Sequence, residues 1–276
     1  MTAEIPCHAV RSVFISDIHL GTRGCNAAAL LDFLRNVQCD TLYLVGDIVD
    51  FWSLRRTFYW PQEHNNVLRT LLGKAKHGTR VVYVPGNHDE DFREFGGLGF
   101  GNLEIQKDCI HETAQGERLL VLHGDEFDSV VKCSPWLAAL GSRAYDFSLD
   151  MNLYFNKVRR AFGYEYWSLA GYLKHKVKNA VNYISSFEQA VAREARRRGA
   201  DGVVCGHIHR AEITRIDGVL YCNDGDWVES CTALVEDGNG KITMWRRHAE
   251  PVQGELLSDE TGCKSLLPVT KEAMAR

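Results

Sequence analysis

The sequence predicts an α/β protein: a sheet whose faces are covered by helices, then a second, antiparallel group of strands, with a helical insertion between them. Two observations carry this expectation. Short β-branched apolar runs alternate with amphipathic stretches as far as Val84, and beyond Glu212 brief alternating runs are separated by turn dipeptides. Composition supplies a third: 45% hydrophobic and 25% charged residues in 276 exclude fibrous, mucin-like and wholly disordered chains. A chain of this size buries roughly 70–75% of its unfolded surface, so its core needs no disulfide or metal staple.

The elements follow in order. Ser12–Ser16 (SVFIS) reads as a buried strand, and Asn26–Val37 as a helix with Leu30, Leu31, Phe33, Leu34 and Val37 on its apolar side. Thr41–Val45 is a second strand. Glu63–His77 is a helix with Val67, Leu68, Leu71 and Leu72 on one face, stopped by Gly78. Arg80–Val84 is a third strand and Leu119–Leu122 a fourth. Ser129 to Gly199 is helical by composition, after which Val203–Cys205 resumes as a strand. Glu212–Ile216, Val219–Cys222, Val228–Val235 and Ile242–Trp245 complete an antiparallel meander, turned by Asp217-Gly218 and by the Asp237–Gly240 stretch. The expected organisation is one domain over 1–249, with the insertion at about 129–199 and a tail of little periodicity over 250–276.

No run approaches the ~18–20 apolar residues of a membrane span. No apolar signal segment stands near Met1–Arg11, and nine scattered cysteines form no CxxC pair, a pattern that suits reduced thiols. A cytoplasmic protein is expected. The net charge of -4 argues against a nucleic-acid binder. It hides an asymmetry, because Ser129 to Arg198 holds twelve Lys/Arg against five Asp/Glu, a local +7 that leaves -11 for the rest.

The chemistry lies just beyond each buried strand. The runs are Asp17-Ile18-His19, Gly46-Asp47-Ile48-Val49-Asp50, Gly86-Asn87-His88-Asp89, His123-Gly124-Asp125 and Gly206-His207-Ile208-His209. The carboxyl edge of an α/β sheet is where its ligand crevice lies. One histidine or aspartate there is ordinarily a turn residue; five strands delivering such groups to one edge is a metal-site signature. Asp17, His19, Asp47, Asn87, His123, His207 and His209 supply seven ligand groups. That exceeds one tetrahedral ion and suits two ions sharing a carboxylate, for which Asp47 is the candidate. Nitrogen and oxygen ligands without thiolate favour manganese, iron or zinc. Two such ions suit in-line displacement at phosphorus. Asp50, Asp89 and Asp125 either orient the histidines or cap turns.

These five blocks, in this order from Ser12 to His209, resemble the calcineurin-like metallophosphoesterases. The resemblance implies a two-sheet sandwich flanked by helices. It implies that Asp17, His19, Asp47 and His209 hold one metal, and that Asp47, Asn87, His123 and His207 hold the other. It further implies attack of an activated water on phosphorus. His88 would contact the phosphate and either protonate the leaving oxygen or steady the transition-state charge.

Substrate choice falls to the insertion, which lies between two expected ligands. Its Trp136–Leu140, Tyr154, Phe155, Phe162, Tyr164, Tyr166, Trp167 and Leu169 interleave with Lys157, Arg159, Arg160, Lys174, Lys176 and Lys178. An apolar lid with a basic rim suits a phosphorylated substrate carrying hydrocarbon chains, or an anionic membrane surface approached from the cytoplasm. With its flanking motifs the insertion is similar to that of the UDP-2,3-diacylglucosamine pyrophosphatases of lipid A biosynthesis. That likeness implies cleavage of a lipid-linked UDP-sugar to lipid X and UMP, manganese as metal, and peripheral attachment to the inner membrane of a Gram-negative cell. Lys157, Arg159 and Arg160 are the candidate contacts to substrate phosphate or sugar, beside Asn87 and His88. The best-known branch of that family carries Arg after the metal-binding Asn, where this chain has His88. Two alternatives stand beside this reading: a soluble phosphodiesterase or phosphomonoesterase acting on nucleotides or other small esters, and a non-catalytic binding scaffold on the same fold.

Overall fold

In the computed structural model, residues 10–128 and 169–247 are described. The predicted tail and most of the predicted insertion, Lys157, Arg159 and Arg160 included, lie outside the described residues.

The first sheet opens with β1 (Val10–Ile15). Helix α1 (Ala27–Asn36) follows, its Asn26 N-cap accepting from Ala29 N, and then comes β2 (Cys39–Val45). Two helices, α2 (Phe51–Arg56) and α3 (Gln62–Lys76), lead to β3 (Arg80–Val84) and the short β4 (Gly99–Phe100) and β5 (Leu103–Ile105). β1, β2 and β3 are parallel neighbours, with Ile15 opposite Leu44 and Val45 opposite Val84. That register ends the strands level, so the loops after them emerge at one edge.

β6 (Cys109–Glu112), β7 (Arg118–Val121), β8 (Gly202–Cys205), β9 (Glu212–Ile216) and β10 (Val219–Asn223) build the second sheet, in the order β6-β7-β8-β10-β9. The chain then returns. β11 (Thr232–Glu236) pairs antiparallel with β1 and β12 (Ile242–Arg246) flanks it, which completes a seven-stranded sheet in the order β12-β11-β1-β2-β3-β5-β4. The predicted meander is therefore divided between the sheets: β9 and β10 stay in one, β11 and β12 cross to the other. Its third strand also begins later than predicted. The Asp226 carboxylate gathers the N–H groups of Val228, Glu229 and Ser230 into a turn, so that pairing starts only at Thr232.

Between the sheets lie Phe14, Tyr43, Val45, Val82 and Val84 against Leu119, Val121, Val204 and Cys222. Leu30, Phe33, Leu34, Val67 and Leu71 cover the outer face of the first sheet. Burying each such side chain contributes roughly 1.5–3 kcal/mol. Leu72, predicted on the same face as Leu71, is 58% exposed, because α3 turns that position toward solvent. The outer face of the second sheet is covered by α4 (Leu169–Arg197), through Tyr183, Phe187, Val191, Ala192 and Ala195. Away from the ligand-bearing edge, a polar chain links the sheets. Tyr43 Oη lies 3.0 Å from His111 Nδ1, and His111 Nε2 lies 2.8 Å from Glu236. Glu236 also accepts from Arg11 at 2.7 Å and from Ala114 N at 2.9 Å.

Candidate metal centre

At the level edge the chain turns sharply after each strand. Seven non-glycine residues have positive φ among the described residues. Five of them are sequence-predicted ligands: Asp17 (48°), His19 (53°), Asp47 (55°), His207 (70°) and His209 (53°). Such left-handed backbone costs about 1–2 kcal/mol per residue and persists only where neighbours enforce it. The enforcing bonds are present: Asp17 N donates to Gly46 O at 3.0 Å, His19 N to Asp47 O at 2.9 Å, and His207 N to Asp17 Oδ2 at 2.9 Å. The glycines of the motifs have a steric cause. A Cβ on Gly86 would fall 2.7 Å from both Asp47 N and His123 Cδ2, and one on Gly206 would fall 2.5 Å from Asp17 Oδ2.

The side chains form two ligand sets. In the first, Asp17 Oδ1 lies 3.1 Å from His209 Nε2 and 3.9 Å from His19 Nε2, and the two Nε2 atoms are 3.4 Å apart. In the second, Asp47, His123 and His207 present ligand atoms within 4.8 Å of one another, with Asp47 Oδ2 3.4 Å from His123 Nε2. Asp47 Oδ2 is also 3.9 Å from His19 Nε2, so this one oxygen lies between the sets. Asp17 Oδ1, Asn87 Oδ1 and His123 Nε2 are buried without a hydrogen bond. Asn87 Oδ1 is left unpaired at a cost of about 1–3 kcal/mol, while Asp17 Oδ1 and His123 Nε2 face only other expected ligand atoms, a pattern that fits a site built for cations. His123 Nδ1 donates to Val45 O at 2.8 Å, which leaves the lone pair on Nε2.

Charge balance agrees with the geometry. Burial alone would raise the Asp17 carboxyl, but His209, His123 and His19 bring it well below the ordinary range. The same opposition holds Asp47 at about 2, with His123 the main counterweight to burial. Burial disfavours the charged form of His209, yet Asp17 raises it to about 9. Protonated imidazoles therefore compensate the carboxylates in the metal-free chain, and cations compete with those protons.

His88 borders the sets. Its Nε2 is 3.9 Å from Asp47 Oδ2, its Nδ1 is 3.0 Å from Asp50 Oδ2, and its ring packs against Trp52 at 4.3 Å. Burial would lower its pKa, but hydrogen bonding to Asp50 and the charge of Asp47 raise it.

The three neighbouring aspartates divide. Asp50 orients histidines: its Oδ2 lies 3.2 Å from His19 Nδ1, while its Oδ1 caps α2 at Ser53 N. Asp89 ties loops together, accepting from Tyr83 Oη at 2.5 Å, Gly86 N at 2.6 Å and Ile48 N at 2.7 Å. Asp125 touches no histidine ring nitrogen within ion-pair distance among the described residues; it pairs with Arg93 at 2.6 Å.

Sequence reasoning passed over several groups here. Ser16 Oγ lies 2.5 Å from Asp17 Oδ2 and 2.6 Å from Asp224 Oδ1. Asp224 follows β10 and is fully buried, and that burial raises its pKa well above the ordinary value. Its place after a strand was the available signal. Trp52 and Asp128 were also passed over, and neither belongs to a ligand motif.

Two oxygen- and imidazole-lined sets with the Asp47 carboxylate between them, at the carboxyl ends of sandwich strands, fit a metal-dependent hydrolase of phosphoester or pyrophosphate bonds. The chain belongs to the calcineurin-like phosphoesterase family, whose profile matches residues 10–211. It is similar to proteins named UDP-2,3-diacylglucosamine hydrolase. The one from Neisseria meningitidis serogroup B is 25% identical over 253 residues, covering 83% of this chain and 95% of the relative. That from Vibrio cholerae (El Tor Inaba N16961) is 26% identical over 251 residues, covering 82% and 94%. Among solved structures, an archaeal phosphodiesterase aligns at a TM-score of 0.40 and 12% identity, over 85% of this chain and 98% of that one. No helix among the described residues is long and apolar enough to cross a membrane.

Proposed function

We propose that this chain hydrolyses the pyrophosphate bond of UDP-2,3-diacylglucosamine, giving lipid X and UMP, with two divalent cations. Manganese is the first choice, and iron or zinc would be accepted by the same ligands. In this reading Asp17, His19, Asp47 and His209 hold one cation, and Asp47, Asn87, His123 and His207 hold the other. The position of Asp47 Oδ2 between the two ligand sets carries the two-cation assignment. The substrate assignment is supported by the relatives, which match over nearly their whole length.

When bound, the pair of cations supplies Lewis acidity toward phosphoryl oxygens and activation of water. The residues do the rest. Asp50 and the Val45 carbonyl hold His19 and His123 with Nε2 directed inward. Asp89 holds the loops carrying Asp47 and Asn87 in register. His88, with its raised pKa and open side, delivers a proton to the leaving phosphate oxygen or a hydrogen bond to the charge forming at phosphorus. Lys157, Arg159 and Arg160 contact substrate phosphate or sugar, and the basic insertion meets an anionic membrane on its cytoplasmic face.

The test is incubation of the full chain with UDP-2,3-diacylglucosamine and Mn²⁺, with detection of UMP and lipid X. His88, standing where the best-known branch has Arg, favours a second reading, a phosphodiesterase acting on smaller esters. Brisk cleavage of bis(p-nitrophenyl) phosphate with no UMP released would establish that second reading and end the first. Cations bound with neither substrate cleaved would leave the binding scaffold.

A further inference from the structure

We infer that Tyr183 and Asp128 form a positioning relay for the second ligand set: Tyr183 fixes the Asp128 carboxylate on His207 Nε2, leaving Nδ1 as the imidazole nitrogen available to a cation. The inference rests on the two-cation reading above and adds to it residues outside every ligand motif. Asp128 Oδ1 lies 2.8 Å from His207 Nε2 and accepts from Tyr183 Oη at 2.7 Å. One oxygen thus joins α4 to a candidate ligand.

A neutral imidazole has one N–H and one lone pair. An Nε2–H donating to a carboxylate leaves the lone pair on Nδ1. His123, in the same set, is committed the other way, with Nδ1 on Val45 O. The two rings meet edge to face at 5.2 Å and 70°, so neighbouring histidines offer opposite nitrogens to one space.

The relay has a firm base. Tyr183 is 2% exposed and packs in the α4 core with Phe187 and Val191. Phe187 lies 6.0 Å from the His207 ring. A Cβ on Gly124 would fall 2.7 Å from Phe187 Cζ, so α4 is seated directly on the loop that leads from His123 to Asp128. The helix that leaves the predicted substrate-selecting segment thereby reaches a ligand of the cation pair.

The experiment titrates Mn²⁺ into the full-length, metal-free chain, with bound and free ion separated by EPR and stoichiometry read by elemental analysis. The variants are Asp128→Ala, Asp128→Asn and Tyr183→Phe, and thermal unfolding of each verifies the fold. The wild type binds two ions. Asp128→Ala weakens one of them by about 10–100-fold, the usual effect of removing a partner behind a metal-binding histidine, and leaves the other unchanged. Asp128→Asn keeps an oxygen acceptor and restores part of that loss. Tyr183→Phe shifts the same ion in the same direction by less. Two unchanged affinities in Asp128→Ala, or equal weakening of both ions with a lowered melting temperature, would overturn the relay. A single ion bound by the wild type would instead overturn the two-cation reading, and the unmutated chain alone reveals it.

Discussion

Replacing Gly86 by Ala places one methyl group where the two strand-end loops and the second sheet meet. The new carbon would stand 2.7 Å from Asp47 N and 2.7 Å from His123 Cδ2, and closer still to Asp47 Oδ1. Two of these neighbours are backbone or ring atoms held by their own bonds, since His123 is fixed on Val45 O at 2.8 Å. Ordinary carbon contact begins near 3.4 Å, so the loops must part by at least about 0.7 Å, beyond the ~0.5 Å tolerance of a working site. Overpacking of this kind costs about 1–3 kcal/mol, and a misplacement approaching 1 Å costs on the order of 10²-fold in rate. Mn²⁺-dependent hydrolysis of bis(p-nitrophenyl) phosphate should therefore fall at least about 100-fold in Gly86→Ala, with weaker Mn²⁺ binding and a modestly lower melting temperature. A variant with wild-type turnover and full metal occupancy would refute the steric reasoning, and with it the claim that Asp47 and His123 act from these positions.

Three further outcomes follow from the same geometry. Asp47→Ala should lose at least one bound ion, because the carboxylate lies between both sets; two full equivalents by elemental analysis would rule out a bridging role. His88→Ala should keep its metals and slow turnover by about 10²–10⁴-fold, the usual worth of a positioned proton donor. An unchanged rate would remove His88 from the chemistry. Away from the site, burial would raise the Glu236 carboxyl, but His111, Ala114 N–H and Arg11 outweigh it and hold it at about 2. A depressed carboxylate stabilises the fold above its ordinary value of 4.5, and that contribution is lost as pH falls toward about 2. The stability advantage of wild type over Glu236→Gln, on the order of 3 kcal/mol at neutral pH, should therefore shrink between about pH 4.5 and 2 in denaturant titrations. A pH-independent difference would contradict this.

What could be read from the sequence was whatever is encoded locally. Arg80–Val84 emerges with the predicted bounds, and α1 buries Leu30, Leu31, Phe33 and Leu34 as its period requires, with Val37 buried at its C-cap. The candidate ligands were legible because each follows a short apolar run within a few residues, and parallel pairing brings the ends of β1, β2 and β3 to one edge. Partner choice was not legible. The run predicted over Val228–Val235 says that a strand lies there, but not that its neighbour is β1 across the molecule. Helix α2 was missed because none of its six residues is buried, which leaves no apolar period to detect. Asp224 and Asp128 were passed over for a related reason. Their importance lies in what stands opposite them, Ser16 in one case and His207 in the other, and those partners are far away in the chain.

The five left-handed corners carry a consequence for descent. Together they cost several kcal/mol, comparable to the net stability of a typical domain, offset in part by the loop hydrogen bonds that hold them, such as His207 N to Asp17 Oδ2. A lineage that abandoned catalysis could relax those corners with glycine and keep both sheets intact. Its members would keep the sandwich and be inert.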